Sequence, residues 1–210
     1  MAVIYIPPSN AVAEADARRM VAAYRSAELV TTGADGYPRS TLLPILWDDD
    51  VVIAHMARAN AHWQEIGDDA PALLICGGPQ AYISPAWYPA KAEHGRVVPT
   101  WNYSTVHLTG RARVHDDPAW VRKAVTRLTD RHEADRQGRW QVTDAPAAYV
   151  AGQLRAIVGI EVLVERVEAK AKLSQNRSVA DRRGVVDGLR AESAGSADAV
   201  AAGMAADLPG

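Results

Sequence analysis

Two side chains two positions apart, Arg58 and Asn60 in the string HMARAN, are the first candidates for chemistry. The apolar run before them, Val51–His55, reads as a strand, and a short helix is expected from there to about Ile66. Arg58 and Asn60 then stand near a helix N-terminus that directly follows a strand. Backbone N–H groups and the helix dipole favour an anion at such a place, and an arginine adds a planar, permanently charged fork. A phosphate is the natural guest. The competing reading is an arginine on a solvated helix face.

A second concentration of chemistry is the stretch Ala81–His107, which holds two of the six Trp, three of the seven Tyr and three of the twelve Pro in a chain with no Phe. Such rings supply flat, stiff apolar area with an N–H or O–H that needs a partner when buried. Pro85, Pro89 and Pro99 fix φ and remove donors, so residues 84–99 are expected to be a rigid loop rather than regular helix or central strand. The rings either plug one end of a core or form a stacking surface for a planar ligand.

Other polar clusters point less sharply. Asp48-Asp49-Asp50 reads as a tight turn whose carboxylates diverge, unlike a convergent metal site. Cys76 lies in the apolar run ALLIC, where a thiol behaves as a small hydrophobe. The segment 168–190 carries six Lys or Arg against three Asp or Glu, a local charge of +3. A solvated face or an anion site explains it as well as a nucleic-acid surface does.

The elements that must position these residues follow from patterning. Val3–Ile6 reads as a short strand, and Ser9 or Asn10 as the cap of a helix over about Ala11–Ser26. Leu29–Thr32 and Pro38–Trp47 read as a hairpin turning at Asp35-Gly36. Ala72–Gly77 is a buried strand that Gly78-Pro79 should break before a further strand, Gln80–Ile83. Thr100–Val114 alternates as one long strand with a bulge or bend at Gly110. Asp116 or Asp117 caps a helix to about Arg136 with Pro118 in its first turn. A short helix from Asp144 to about Leu154 and a strand over Ile157–Val167 come next, then the polar segment from Glu168 and a helix over Val179–Arg190. Many short antiparallel strands with inserted helices suit a small closed or split β-barrel. One domain is expected over residues 1–190, with 191–210 an Ala-rich tail, either a loosely docked helix or disordered.

At 210 residues, with 48% hydrophobic and 23% charged residues, the chain can bury an ordinary core. A formal net charge of −2 gives no footprint for nucleic acid. The N-terminus lacks a basic segment followed by a long apolar core, and no apolar run nears the ~20 residues of a membrane span. A cytoplasmic protein is expected.

Five strings, IYIPP, HMARANAHW, GPQAYISPAWY, VPTWNY and AKLSQNR, the last followed by Gly184-Val185 and Gly188-Leu189, resemble the PaiB family of FMN-binding negative transcriptional regulators. The resemblance runs over about residues 3–190 and departs from the family pattern at Ala54, Gln80 and Ala86. It implies an α+β fold, mainly β with appended helices: an antiparallel, Greek-key-like FMN-binding split β-barrel of roughly six to eight strands. It further implies a homodimer with FMN between the protomers. Thr41 and Leu42 on the second barrel strand would lie along the flavin. His55, Arg58 and Asn60 would hold its phosphate, and Trp101, Asn102, Tyr103 and Thr105 would lie beside it. Lys172, Gln175 and Arg177 would come from the partner chain.

Three functions compete on these grounds. The first is an FMN-binding regulator; direct DNA binding stays possible but unsupported by charge. The second is a flavin-dependent oxidoreductase or flavin reductase, which needs no dedicated acid or base because the cofactor carries the hydride. The third is a haem-binding or haem-degrading split barrel using His55, His62, His94 or His107 as axial ligand.

Overall fold

Alternating burial makes the strands of this chain, and glycine decides where they can touch. In the computed structural model, which describes residues 4–192 and 195–209, the elements in order are α1 (Glu14–Tyr24), β1 (Ser26–Thr32), β2 (Pro38–Asp48), β3 (Val51–Ala57), β4 (Ala70–Ile83), α2 (Ala90–His94), β5 (Thr100–His115), α3 (Pro118–Glu133), α4 (Ala147–Arg155), β6 (Ile157–Lys172), α5 (Val179–Glu192) and α6 (Gly195–Ala206). Two units are separable: residues 15–76 with 107–167, and the described residues within 1–14, 77–106 and 168–210. Strands β4, β5 and β6 are each divided between them.

The first unit holds the barrel. Its strands close in the order β1-β2-β3-β6-β5-β4. Strands β1 to β3 are neighbours in sequence, and the chain then steps across to β4, so that β3 lies beside β6 in a Greek-key step. The hairpin register runs from Ser26↔Pro44 to Thr32↔Pro38, and β3 pairs β6 from Val51↔Leu163 to Ala57↔Ile157. Alternate residues Ala27, Leu29 and Thr31 are buried on β1, while β3 buries Val52, Ile53, Ala54 and Met56 and β6 buries Val158, Gly159, Ile160 and Val162. Cys76 on β4 is fully buried, and burial pushes its thiol up to about 12, which makes it inert.

Two glycines permit close approach. A Cβ on Gly110 of β5 would stand 1.9 Å from the Leu163 carbonyl oxygen. A Cβ on Gly159 of β6 would overlap the Trp120 ring, which also stacks on His115 with ring centroids 4.0 Å apart. The feature expected at Gly110 is thus a close backbone contact. Helix α3 starts where Asp117 accepts a hydrogen bond from the Trp120 N–H at 2.8 Å, and it buries Val121, Ala124 and Leu128.

In the second unit, α5 and α6 pack on each other. Val185, Val186 and Leu189 of α5 meet Val200, Ala201 and Met204 of α6, together with Ile83 and Tyr88. Small residues on α6 let the helices approach, and each fully buried Val or Met contributes about 1.5–3 kcal/mol. Helix α6 lies in the Ala-rich stretch, of which Ser193, Ala194 and Gly210 fall outside the described residues.

Several expectations are corrected. Ile4–Ile6 is not a strand: Tyr5 is 81% exposed, and Pro7-Pro8 remove two ladder donors; Val3 lies outside the described residues. Ser9 and Asn10 sit in a 3-10 turn, so α1 begins only at Glu14, while Ala11 bridges Lys170 in extended form. Gly78-Pro79 does not break β4, because proline is tolerated where its nitrogen owes no ladder bond. Residues 90–94 form a single helical turn between prolines, closed by Gly95 at φ 67°. The polar run from Glu168 continues β6 to Lys172; there Lys170 buries its stem while its ammonium reaches the Tyr5 carbonyl at 3.1 Å.

Gly110→Ala is expected to destabilise the fold by about 1–3 kcal/mol, because backbone, not a flexible side chain, occupies the Cβ position. A urea midpoint equal to that of the parent would contradict the contact.

Candidate functional site

The barrel unit contains a polar centre built on one histidine. His62 follows β3 in a five-residue 3-10 turn, Ala61–Glu65, and is 5% exposed. Its Nε2 lies 2.9 Å from the Thr31 hydroxyl on β1, and its Nδ1 lies 2.8 Å from the Thr41 hydroxyl on β2. A neutral imidazole has one donor and one acceptor nitrogen, and each hydroxyl can take either role. Asn60 completes the cluster. Its carbonyl oxygen accepts the His62 backbone N–H at 3.0 Å, which turns its amide nitrogen to donate to Thr41 Oγ1 at 3.2 Å. Burial lowers the His62 pKa; Arg39 reinforces this and Glu65 opposes it.

The expected helix after β3 is therefore a 3-10 turn, too short to supply a dipole, and Asn60 is its cap. Arg58 is already committed. Its fork is bidentate to Asp116, its Nε donates to the Arg155 carbonyl at 2.9 Å, and an Nη donates to the Ile157 carbonyl at 3.2 Å. Asp116, 63% exposed, holds a carboxyl pulled below the usual range by that guanidinium. The Trp63 indole N–H in turn donates to the Arg58 carbonyl at 2.9 Å. Leu42, next to Thr41 on β2, is 64% exposed.

His55 does not join this cluster. It pairs in register with Gly159, and its ring lines a cavity with residues of α3, α4 and the segment before α4. Burial lowers its pKa as well.

In the second unit, β5 and β6 carry the other expected residues. Trp101 is 47% exposed, donates from its indole to Gln80 Oε1 at 3.0 Å, and lies near Tyr82, also half exposed. Asn102 is fully buried, with its amide nitrogen 3.0 Å from Ser174 Oγ. Tyr103 faces the Lys170 ammonium at 5.1 Å. Thr105 is half-buried on the same strand. Lys172 donates to Thr100 Oγ1 at 2.5 Å and to the Trp101 carbonyl at 2.7 Å; burial pushes its pKa down, Lys170 adds to this and Tyr103 opposes it. Gln175 closes a local turn by donating to the Ala171 carbonyl, and Arg177 lies over the Tyr88 ring at 4.8 Å.

The structure thus groups Thr41 with Asn60, and Lys172 with Trp101, while Asn102, Gln175 and Arg177 make contacts internal to their own unit. Sequence reasoning treats His62 only as a haem ligand and misses its clasp. The signal was present as a histidine two residues after a capping asparagine. Both His62 nitrogens are spent on threonines, so neither is free for iron. In the segment 168–190, Lys170, Lys172, Arg177, Arg182 and Arg183 all have intramolecular partners, mostly neutral carbonyls and a ring face, which orient these side chains and leave their charge in place. Among the described residues no cluster of His, Cys, Asp or Glu could hold a metal ion, and no helix is long and apolar enough to cross a membrane.

With this geometry in place, comparison with known proteins is informative. Residues 4–166 match the family model described as "Putative FMN-binding domain". The chain is 30% identical over 193 residues to the protease synthase and sporulation protein PAI 2 of Bacillus subtilis, covering 90% of each. It is 32% identical over 156 residues to an uncharacterised Aspergillus fumigatus protein, covering 67% of this chain and 59% of that one. Its fold is similar to a conserved hypothetical protein of Mycobacterium tuberculosis (TM-score 0.58, 13% identity, 82% and 92% of the two chains). It is also similar to an FAD- and haem-binding protein of Mycobacterium smegmatis (TM-score 0.59, 14% identity, 78% and 73%). The antiparallel six-stranded barrel is thus that of the FMN-binding split-barrel class.

Thr41→Val is expected to destabilise the protein by about 1–3 kcal/mol, since it leaves a ring nitrogen of His62 buried and unpaired. Denaturant melts of Thr31→Val, Thr41→Val and the double variant should be non-additive; strict additivity contradicts a shared clasp. The histidines also set a pH dependence. Burial holds the folded pKa values of His55 and His62 below the ordinary histidine value of about 6.5, so the unfolded chain binds protons that the native chain refuses. Stability present above about pH 6.5 is lost as the pH falls through the folded values. A Tm profile flat between about pH 7.5 and 5 would contradict this.

Proposed function

The chain belongs to the PaiB-like FMN-binding family, and on that premise we propose that it is a regulatory flavoprotein whose barrel unit holds the FMN phosphate through Thr41, Asn60 and Arg58. FMN is the cofactor of the family. The donor set suits its 5′-phosphate in kind: a hydroxyl, a carboxamide and a guanidinium, two of them fixed before any ligand arrives. That pre-orientation by the buried His62 is the observation that carries the reading. Leu42, exposed beside Thr41, suits the apolar face of an isoalloxazine. When bound, FMN supplies reversible one- and two-electron chemistry.

The chain's own residues set the terms of binding. Asp116 occupies the Arg58 fork and must yield part of it to a dianion. We further propose a homodimer with FMN between protomers. His55 belongs to this reading only as a neighbour in the strand leading to Arg58. Trp101, Asn102, Tyr103 and Thr105 are proposed to lie beside the flavin, and Lys172, Gln175 and Arg177 are the proposed contacts from the partner chain. A cation such as Lys172 there would favour the reduced, more negative flavin. The repressor role rests on the family alone.

An alternative role as an FMN-dependent oxidoreductase keeps the same site. Anaerobic NAD(P)H bleaching of the bound flavin at a rate well above that of free FMN would favour it.

The site is tested by FMN titration. Asn60→Ala and Arg58→Lys should each weaken binding about 10–100-fold, the loss expected for charge-assisted donors. Asp116→Asn should tighten it severalfold by releasing the fork. Unchanged affinity in all three would sink the assignment, and an FMN-loaded monomer in gel filtration would remove the dimer.

A further inference from the structure

The barrel unit contains an apolar cavity that the flavin site does not use. Its volume is about 240 Å³. Val142, Val150, Leu154 and Ile157 form its floor, and all belong to one packed cluster. Trp140 and Tyr149 stand at the rim, 46% and 61% exposed, so their ring faces are open to a guest. No lysine, arginine, aspartate or glutamate lines it. The one imidazole in its wall is His55.

The state of that imidazole can be argued. Nδ1 is sealed from solvent and has no hydrogen-bond partner among the described residues. Burial favours the neutral ring, so a single N–H remains to be placed. A buried N–H without an acceptor is rarer and costlier than a buried lone pair, because a donor has no second way to be satisfied. The proton therefore belongs on Nε2, which is left to face the cavity. The result is a largely apolar chamber with two aromatic edges, the imidazole donor in its wall and the Gln153 carboxamide beside it.

We infer that this cavity is a second ligand site, which takes a small neutral aromatic molecule carrying a carbonyl, its ring between the Val150–Leu154 floor and the Trp140–Tyr149 rim and its oxygen on His55 Nε2–H. Size, polarity and hydrogen bonding agree on that class. An apolar cavity of about 150 Å³ is enough to hold benzene, so 240 Å³ takes a substituted ring. The absence of cations in the wall disfavours carboxylates and phosphates, which would lose water without gaining a partner. A ligand with no acceptor would leave the Nε2–H unpaired. The site is separate from the flavin reading proposed above, which rests on Thr41, Asn60 and Arg58: it turns His55, which the family resemblance would put on the phosphate, to a different ligand, and its occupancy is measurable without FMN.

Acetophenone, ethylbenzene and benzoate serve as probes on the full chain. Binding is read by the Trp140-dependent change in fluorescence and by the Nε2–H resonance of His55 in nitrogen-15 spectra. Acetophenone should saturate both signals and bind about tenfold more tightly than ethylbenzene, the worth of one buried hydrogen bond; benzoate should bind most weakly. His55→Phe, which keeps a ring of similar size, should cost acetophenone about tenfold and leave ethylbenzene unchanged. Ala145→Leu, which narrows the chamber, should weaken both neutral probes, with thermal melts confirming that each variant is folded. FMN-loaded and FMN-free protein should give the same acetophenone affinity. No saturable binding of either neutral probe, equal affinities for the two in the parent protein, or displacement of acetophenone by FMN would each overturn the assignment.

Discussion

The barrel unit is organised around a histidine held between two hydroxyls. His62 joins the first strand, through Thr31, to the second, through Thr41, while its backbone and Asn60 tie in the turn after the third. Each interaction is modest on its own, about 1 kcal/mol net for a neutral hydrogen bond. Their weight comes from burial. A ring nitrogen left unpaired there would cost more than the bond contributes, so the cluster is all or nothing. That makes it a device for placing the Thr41 hydroxyl and the Asn60 amide, and these are groups a phosphate needs. The same burial that lowers the pKa of His62 keeps a positive charge off the ring, so any cation at the site has to come from arginine.

Arginine comes with a constraint of its own. Arg58 pins two backbone carbonyls at the α4–β6 junction and shares its fork with Asp116. On the proposed reading Arg58 would do structural and binding work at once, with the exposed carboxylate as the replaceable partner. Surface pairs of this sort contribute little to stability. Exchanging a screened carboxylate for a phosphate dianion therefore costs the fold little and gains the ligand a charge-assisted contact. The carbonyl bonds, by contrast, stay in place during the exchange and keep the guanidinium oriented.

Much of this was legible in the sequence because it lay in short-range patterns. The Asp35-Gly36 turn, the Asp48–Asp50 turn and the Asp117-Pro118 helix start are local chemistry, and all three stand where the sequence puts them. What was hidden depends on tertiary partners. Lys170 and Lys172 look like a solvated basic segment until the Tyr5 carbonyl, Thr100 and the Trp101 carbonyl appear around them. Pro79 looks like a strand breaker, yet β4 runs through it from Ala70 to Ile83. Gly110 reads as a bulge or bend in the sequence, whereas both it and Gly159 are places where another group fills the volume of a Cβ. Arg58 and Asn60 were visible as a pair, but the dipole invoked for them was absent; the histidine bonded to Asn60 lay two residues further on, and the partners of Arg58 lay at Asp116, Arg155 and Ile157.

The outer face of β3 shows why His55 and His62, seven residues apart, have such different surroundings. His62 lies beyond the strand end, where hydroxyls from two neighbouring strands converge on it. His55 lies within the strand, on the face opposite Ala54 and Met56, beneath helices that bring mostly apolar side chains and rings, with Gln153 as the polar exception. One imidazole is fully satisfied, and the other has a buried Nδ1 without a partner among the described residues. Opposite His55 in register stands Gly159, and the space a side chain would take there is filled by Trp120, not by a donor or acceptor. Trp120 spends its own ring face on His115. The pairing of β3 with β6 therefore fixes His55 against a largely apolar neighbourhood, and its unpaired Nδ1 follows from strand register rather than from loose packing.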